Sequence, residues 1–295
     1  MIVSDRVHSA ADVRLHYDEL DHPYRAVWGE HVHHGYWQTG HETPADAAEA
    51  LCRLVEARLA LEPGMTVCDI GCGYGATAAY LAEQDEVHVT GFTLSGAQAA
   101  IARARSPGRG SLTFVERDWL DSGLLDGGFV RAYAIESSEH MVDKARFFSE
   151  AHRVLKPGGR LVVCAWLEGP ETKPWHVRHL LEPICREGRL PSMGSRADYD
   201  ALASQAGFTL RSYDDISRNV RRTWSVCARR LAVRLITDRT IRELALSRAT
   251  RNRDFLLSIP RLMLALRSGA MRYGVFVWDK AEREPRYPAV HPSGV

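Results

Sequence analysis

VCDIGCGYG, residues 67–75, is the stretch that decides how this chain folds. An apolar run closes on Asp69 and Ile70, glycines then occupy every second position (Gly71, Gly73, Gly75), and helix-forming residues follow. Glycine tolerates positive φ and lets a ligand approach the backbone closely. A helix start just beyond it offers N–H groups with no partner in the helix. A strand, a glycine turn and a helix in that order open a parallel α/β sheet, whose ligands sit beyond the carboxyl ends of the strands.

Working outward, short β-rich runs alternate with helical ones: Thr66–Ile70, a helix from about Gly75, Val87–Gly91, a helix from Ser95, Leu112–Glu116, Val130–Ile135, a helix over Val142–Leu155, and Arg160–Trp166. The strands are continuous apolar runs, as expected of a parallel sheet covered on both faces. Lys156-Pro157-Gly158-Gly159 reads as a turn into the fifth strand. Upstream, residues 9–30 and 44–60 carry apolar positions at helical spacing. Downstream the alternation breaks: 170–206 reads as a helical insertion, Phe208–Tyr213 as a strand, 220–268 as a long Arg-rich helical insertion, and Tyr273–Asp279 as the strand that closes the sheet. The expected division is an N-terminal helical cap or lid (1–62), a ligand-binding core (63–169), the rest of the sheet with acceptor-binding insertions (170–279) and a loose tail (280–295).

Composition sets limits on function. In 295 residues, 38 Lys and Arg nearly cancel 37 Asp and Glu, which argues against a dedicated nucleic-acid binder. The charge is uneven, however: residues 211–272 hold 15 Arg against 5 acids, so 218–267 is a candidate for peripheral membrane contact or for attracting an anionic substrate. The simpler reading is a solvated surface whose cations are written as Arg. The six cysteines are scattered with no CxxC pair, and the N-terminus lacks a signal peptide's apolar stretch, so a soluble, cytoplasmic protein is expected.

A GxGxG loop alone is a weak signal, because dinucleotide sites use a related one. Here an acid stands two residues before the first glycine, and further motifs follow in order: TGFTLS at 90–95, ERDW at 116–119 and HRVLKPGGRLVV at 152–163. Together they resemble the class I S-adenosylmethionine (SAM) methyltransferases. WGEHVHHGYW at 28–37, AIESSEHM at 134–141 and SIPRLMLALRSGAMRYGVF at 258–276 are similar to the γ-tocopherol methyltransferase group of small-molecule C- and N-methylating enzymes. The resemblance implies a Rossmann-like, seven-stranded, mostly parallel α/β sheet. It also implies SAM as cofactor, S-adenosylhomocysteine (SAH) as product, and an aromatic, prenylated or amine-bearing acceptor of natural-product type.

Carried onto this sequence, the resemblance places Gly71 and Gly73 under the methionine part of SAM, with Asp69 orienting its ammonium. Asp118 would accept from the adenine amine and Trp119 would lie against the ring. Relatives often hold the ribose with an acid after the second strand. Here Thr93 is the only polar side chain nearby, so a weaker contact is expected. Tyr36, with Trp37, would fold over the methionine end as a lid, and Glu136 would shape the cofactor and acceptor pocket.

In-line transfer from an activated sulfonium needs mostly positioning, which supplies up to ~7–11 kcal/mol in well-ordered cases. A phenolic acceptor, with pKa ~10, would also benefit from a base. His140 is the favoured base because it titrates near neutrality, with Glu136 and His34 the other catalytic candidates and Glu139 beside them. Tyr17 could reach the cofactor. Trp175 and Trp224 are candidates to stack on a flat acceptor, within inserts that also carry His176 and His179. His31, His33, His34 and His41 raise the question of a metal. None is expected, since no Asp or Cys accompanies them at ligand spacing. Two alternatives remain: a SAM-binding partner or regulatory protein without turnover, and a nucleic-acid methyltransferase, which lacks here its (N/D/S)PP(Y/F/W) tetrapeptide. Oligomeric state is not legible.

Overall fold

The computed structural model describes residues 1–247, 254 and 258–282. A short strand β1 (Ile2–Val3) precedes helices α1 (Ala10–Glu19), α2 (Asp21–Val27) and α3 (Pro44–Leu59). The helix expected over 9–30 is thus two, because the chain leaves helical geometry at Leu20, whose side chain is fully buried. α1 and α3 open with capping boxes, Ser9 with Asp12 and Thr43 with Asp46, which satisfy the first backbone donors.

The alternation then runs β2 (Thr66–Ile70), α4 (Ala76–Asp85), β3 (His88–Thr93), α5 (Gly96–Arg103), β4 (Ser111–Glu116), β5 (Phe129–Ile135), α6 (Lys144–Val154) and β6 (Leu155–Glu168). The Lys156–Gly159 turn is absorbed into β6: Leu155 already pairs with Phe129, and the register slips before Arg160 meets Arg131. Next come α7 (Pro174–His176), a π turn over Val177–Leu181 and α8 (Glu182–Glu187). The 170–206 insertion is therefore helical only in part. It also contains β7 (Ser192–Met193), which pairs with β1, before α9 (Arg196–Gln205). β8 (Phe208–Asp215), α10 (Ser217–Val220), α11 (Arg222–Thr237), α12 (Arg239–Leu246), a helix at Ile259–Ser268 and β9 (Met271–Lys280) complete the described chain. Parts of the Arg-rich stretch (248–253 and 255–257) and of the expected loose tail (283–295) lie outside the described residues.

The seven-stranded sheet has the order β4-β3-β2-β5-β6-β9-β8. Its first five strands are parallel, and β9 runs antiparallel to both β6 and β8. The expectation that Tyr273–Asp279 closes the sheet is corrected: β9 lies inside and β8 takes the edge. Burial explains the exchange. Tyr273 to Trp278 are all buried, whereas β8 buries only Phe208 and is otherwise exposed or partly covered.

Each face of the sheet has its own core. Val67, Val89, Tyr133, Val162, Val275 and Val277 pack toward α3, α4 and α11. Cys68, Ile70, Ala132, Ala134, Phe276 and Trp278 pack toward α6 and α9, where Phe276 stacks on Trp278 with ring centroids 4.6 Å apart. Removing a ring there, as in Phe276→Ala, costs about 3–5 kcal/mol. Strand order reverses between β2 and β5, so their carboxyl ends face one crevice. The site lies there.

Candidate active site

β2 delivers Asp69 and Ile70 to the crevice, and the glycine turn follows. Gly71 has φ +84°, and a Cβ there would overlap the side chain of Ser137. Gly73 has φ +53°, and a Cβ there would meet nothing within 4 Å. The bare face of Gly73 therefore borders open space at the start of α4. Asp69 is buried and accepts a 2.7 Å hydrogen bond from Tyr133 Oη. Burial pushes its carboxyl up to about 7, against the downward pull of that bond. A cation bound beside it would restore the carboxylate.

The glycine turn leads into a cleft that encloses about 700 Å³ of empty space, the solvent at its mouth included. Thr93, Asp118 and Trp119 all line it, with Phe92 and Leu94 as apolar neighbours. One Asp118 oxygen caps Leu120 N at 2.9 Å, which leaves the other for a ligand donor. Trp119 is fixed edge-on to Phe92 and donates to Phe147 O. Thr93 is less available than its position implies: its hydroxyl donates to Gln98 Oε1 at 2.8 Å and accepts from Ser95 N. Gln98, buried and in the same wall, brings an amide beside Thr93. The sequence reading missed it because it follows the strand by five residues, inside α5.

The crevice continues into a second cavity of about 460 Å³, walled by Tyr24, Trp28, Trp166, Trp224 and Leu190. Tyr17, Val32, Glu136 and His140 line both cavities and form the boundary between them. Tyr17 Oη lies 2.8 Å from His140 Nε2, and His140 Nδ1 faces the Arg189 carbonyl at 3.4 Å. With Nδ1–H donating to that carbonyl, Nε2 accepts from the Tyr17 hydroxyl. Burial pushes the imidazole down to about 4, so the expectation that His140 titrates near neutrality is corrected.

Glu136 follows β5 in a left-handed conformation, φ +53°, which is uncommon for a residue with a side chain. The strain is held in place by four donors: His34 N at 2.6 Å, His34 Nδ1 at 2.9 Å, Tyr273 Oη at 2.8 Å and Trp166 Nε1 at 3.1 Å. Burial alone would raise its carboxyl, but attraction and hydrogen bonds from His34 outweigh that and leave it at about 2. Three residues on, Glu139 is also buried and lines the second cavity. Burial, seconded by the Glu136 charge, pushes its carboxyl up to about 7, while Trp166 N donates to it at 2.7 Å.

Several expected residues lie elsewhere. His34, a catalytic candidate from sequence, sits behind Glu136, among the rings of Trp166, Trp224 and Tyr273, and lines neither cavity. Tyr36 and Trp37 form no lid. Tyr36 N donates to Ala47 O at 2.7 Å, and Trp37 is buried against Ala47 and Val226, because the preceding turn directs the chain onto α3 and α11. Tyr17 and Val32 cover the cleft instead. Trp224 is in the second cavity, whereas Trp175 is half-exposed beside His176. His31 and His33 turn toward Cys52 and Thr77, and His41 is exposed.

The cleft, the open face of Gly73 and the free oxygen of Asp118 fit an adenosyl-methionine ligand, and known proteins agree with that reading. Residues 4–248 match the family described as mycolic acid cyclopropane synthetase. A protein of Oryza sativa subsp. japonica named "Probable tocopherol O-methyltransferase, chloroplastic" is 34% identical over 226 residues, 70% of this chain and 62% of that one. The chain thus spans less than two thirds of that relative's length. Methyltransferase GfsG of Streptomyces halstedii is 34% identical over 217 residues, 72% of this chain and 78% of GfsG. Among solved structures, mycolic acid cyclopropane synthase CmaA1 complexed with SAH and CTAB superposes with a TM-score of 0.79 at 25% identity, covering 94% of this chain and 100% of that one. The chain belongs to the mycolic acid cyclopropane synthetase family and is a class I, SAM-dependent small-molecule methyltransferase.

Proposed function

We propose that the chain methylates a flat, largely apolar metabolite bearing one hydroxyl or amine, of the aromatic or prenylated natural-product kind. One observation carries this reading: the polar cofactor cleft and an aromatic-walled cavity share the boundary Tyr17, Glu136 and His140. SAM, when bound, supplies a methyl group on a sulfonium. Gly71 and Gly73 give it room, Asp69 faces its ammonium, and Asp118, Trp119 and Gln98 receive the adenosine. The indoles of Trp28, Trp166 and Trp224 hold the acceptor by stacking and exclude water.

The acceptor heteroatom is held against Tyr17 Oη, which His140 Nε2 fixes in turn. Glu136 contributes a permanent negative charge at the boundary. The proton displaced from the acceptor passes to Glu139, the carboxyl in the acceptor cavity whose pKa of about 7 suits a base near neutrality. His140, at about 4, serves to position Tyr17. Pairs of carboxyls pushed apart in this way mark separate roles.

The test is turnover with a panel of phenols, prenylated quinols, alcohols and amines, scored by SAH release. Turnover confined to flat acceptors with one hydroxyl or amine supports the reading. Cofactor binding without SAH release from any acceptor overturns it in favour of a SAM-binding partner.

A membrane-surface supply of the acceptor is part of the proposal. On α11 and α12, Val233, Ile236 and Leu246 are 53%, 78% and 74% exposed, among Arg229, Arg234, Arg239 and Arg242. Apolar side chains set among arginines suit an anionic lipid surface. Among the described residues no helix is long and apolar enough to cross a membrane.

A further inference from the structure

The expectation of no metal rested on the lack of an Asp or Cys at ligand spacing from the histidines. Folding supplies one. α3 packs against the segment that follows α2, bringing Cys52 beside His31 and His33, and the first turn of α4 adds Thr77. We propose that His31, His33, Cys52 and Thr77 form a site for a zinc-like, borderline-soft divalent cation, set in the wall behind the glycine turn.

The geometry is the main argument. Cys52 Sγ lies 3.6 Å from His31 Nδ1, 3.7 Å from His33 Nε2 and 3.6 Å from Thr77 Oγ1. Thr77 Oγ1 lies 3.4 Å from each of the same two imidazole nitrogens. The two nitrogens and the sulfur all fall within 4.8 Å of one another. With metal–nitrogen bonds of ~2.0–2.1 Å and metal–sulfur bonds of ~2.3 Å, a tetrahedron has edges of about 3.4 Å between nitrogen and oxygen and about 3.6 Å between nitrogen and sulfur. Five of the six edges of this cluster therefore already have tetrahedral lengths.

A second observation concerns proton placement. His33 Nδ1 lies 2.8 Å from the carbonyl of His34. Donating there, it leaves the Nε2 lone pair aimed at Cys52 and Thr77. A backbone carbonyl that fixes the far nitrogen is the usual support of a metal-bound histidine. Without a cation, the thiol and hydroxyl protons serve the two imidazole lone pairs, so the cluster is pre-formed. Cation entry forms a metal–thiolate bond and releases the Cys52 proton to solvent. Access is through a cavity of about 350 Å³ that His31, His33 and Thr77 share with Gly73. A donor set of two nitrogens, a sulfur and an oxygen selects Zn²⁺ or Co²⁺ over Mg²⁺ and Ca²⁺.

The test is titration of the purified, chelator-treated full chain with CoCl₂, followed by absorbance, in the absence of SAM. One equivalent is expected to produce a thiolate-to-cobalt charge-transfer band with the intense visible bands of tetrahedral Co²⁺. Both should be lost in Cys52→Ser and His33→Gln and retained in Cys164→Ser, a buried cysteine of β6 outside the cluster. CoCl₂ binding to the metal-free chain should release about one proton per site; ZnCl₂ should then displace the cobalt with no further release, and MgCl₂ should not displace it. A weak octahedral spectrum, or a thiolate band that survives Cys52→Ser, overturns the proposal. Should the buried substitutions fail to fold by circular dichroism, His31→Gln decides, because His31 is partly exposed. An unchanged spectrum in that variant counts against the site.

Discussion

The two cavities that meet at Tyr17 and His140 are built differently. On the cofactor side, groups sit at the carboxyl ends of consecutive strands: Asp69 and the glycines at the end of β2, Thr93 as the last residue of β3, Asp118 just after β4. On the acceptor side, Trp28, Trp166, Leu190 and Trp224 come from four distant parts of the chain. A ligand common to many enzymes is met by local motifs, whereas a particular acceptor is met by long-range assembly. The difference predicts that damage on one side leaves the other intact.

The largest effect is expected at the glycine turn. Gly73→Val places a branched side chain in the open space of the cleft, at a backbone angle that disfavours it, and should weaken SAM binding by at least about 100-fold, ~2.7 kcal/mol. Calorimetry checks this. Normal binding would break the assignment of the cleft, while acceptor-side variants should leave SAM affinity nearly unchanged.

Next is Glu139→Gln, which should lower kcat by ~10²-fold or more when SAM is saturating. In the unaltered chain, kcat at saturating SAM should rise with pH through about 7, as Glu139 loses its proton and becomes able to accept one. That rising limb should vanish in the variant. Saturation with SAM matters, because Asp69 ionises in the same range and governs affinity instead. A limb that persists would return the base to another group.

His140→Ala should act more mildly, lowering kcat by about 10-fold through misplacement of Tyr17. SAM affinity should shift by less than about threefold, and Tyr17→Phe should reproduce the defect. An unchanged rate in both variants would remove the pair from the boundary.

The smallest effect concerns the arginine surface. Replacing Arg229 and Arg234 with Ala should weaken binding to anionic vesicles by about 1 kcal/mol per residue, and binding should fall as salt rises. Sedimentation with phosphatidylserine vesicles measures both. Binding indifferent to salt would exclude this surface as an electrostatic dock.

What could be read from the sequence follows the same division. The order of strands and helices through Trp166, and the placement of Gly71, Gly73, Asp118 and Trp119 around one cleft with Asp69 beside the glycines, were legible because each motif abuts its own strand. Tyr36 was misplaced because adjacency in sequence to the HxHH segment says nothing of the turn that carries it onto α3. The position of His34 was hidden for a related reason: its partner Glu136 is remote in sequence, and their contact holds the imidazole behind the two cavities. The ionisation of His140 and Glu139 could not be read at all, since burial and the neighbouring Glu136 charge set it. The interior position of β9 was hidden because an apolar strand pattern does not reveal its neighbours.

That position bears on the order of assembly. Tyr273, one of the four groups that hold Glu136, belongs to the strand translated after every other one in the sheet. A nascent chain halted before residue 271 could form the parallel half and its glycine turn, yet its strained carboxylate would lack a tether. The boundary between the two cavities is thus complete only once β9 has slotted between β6 and β8 and brought Tyr273 to Glu136.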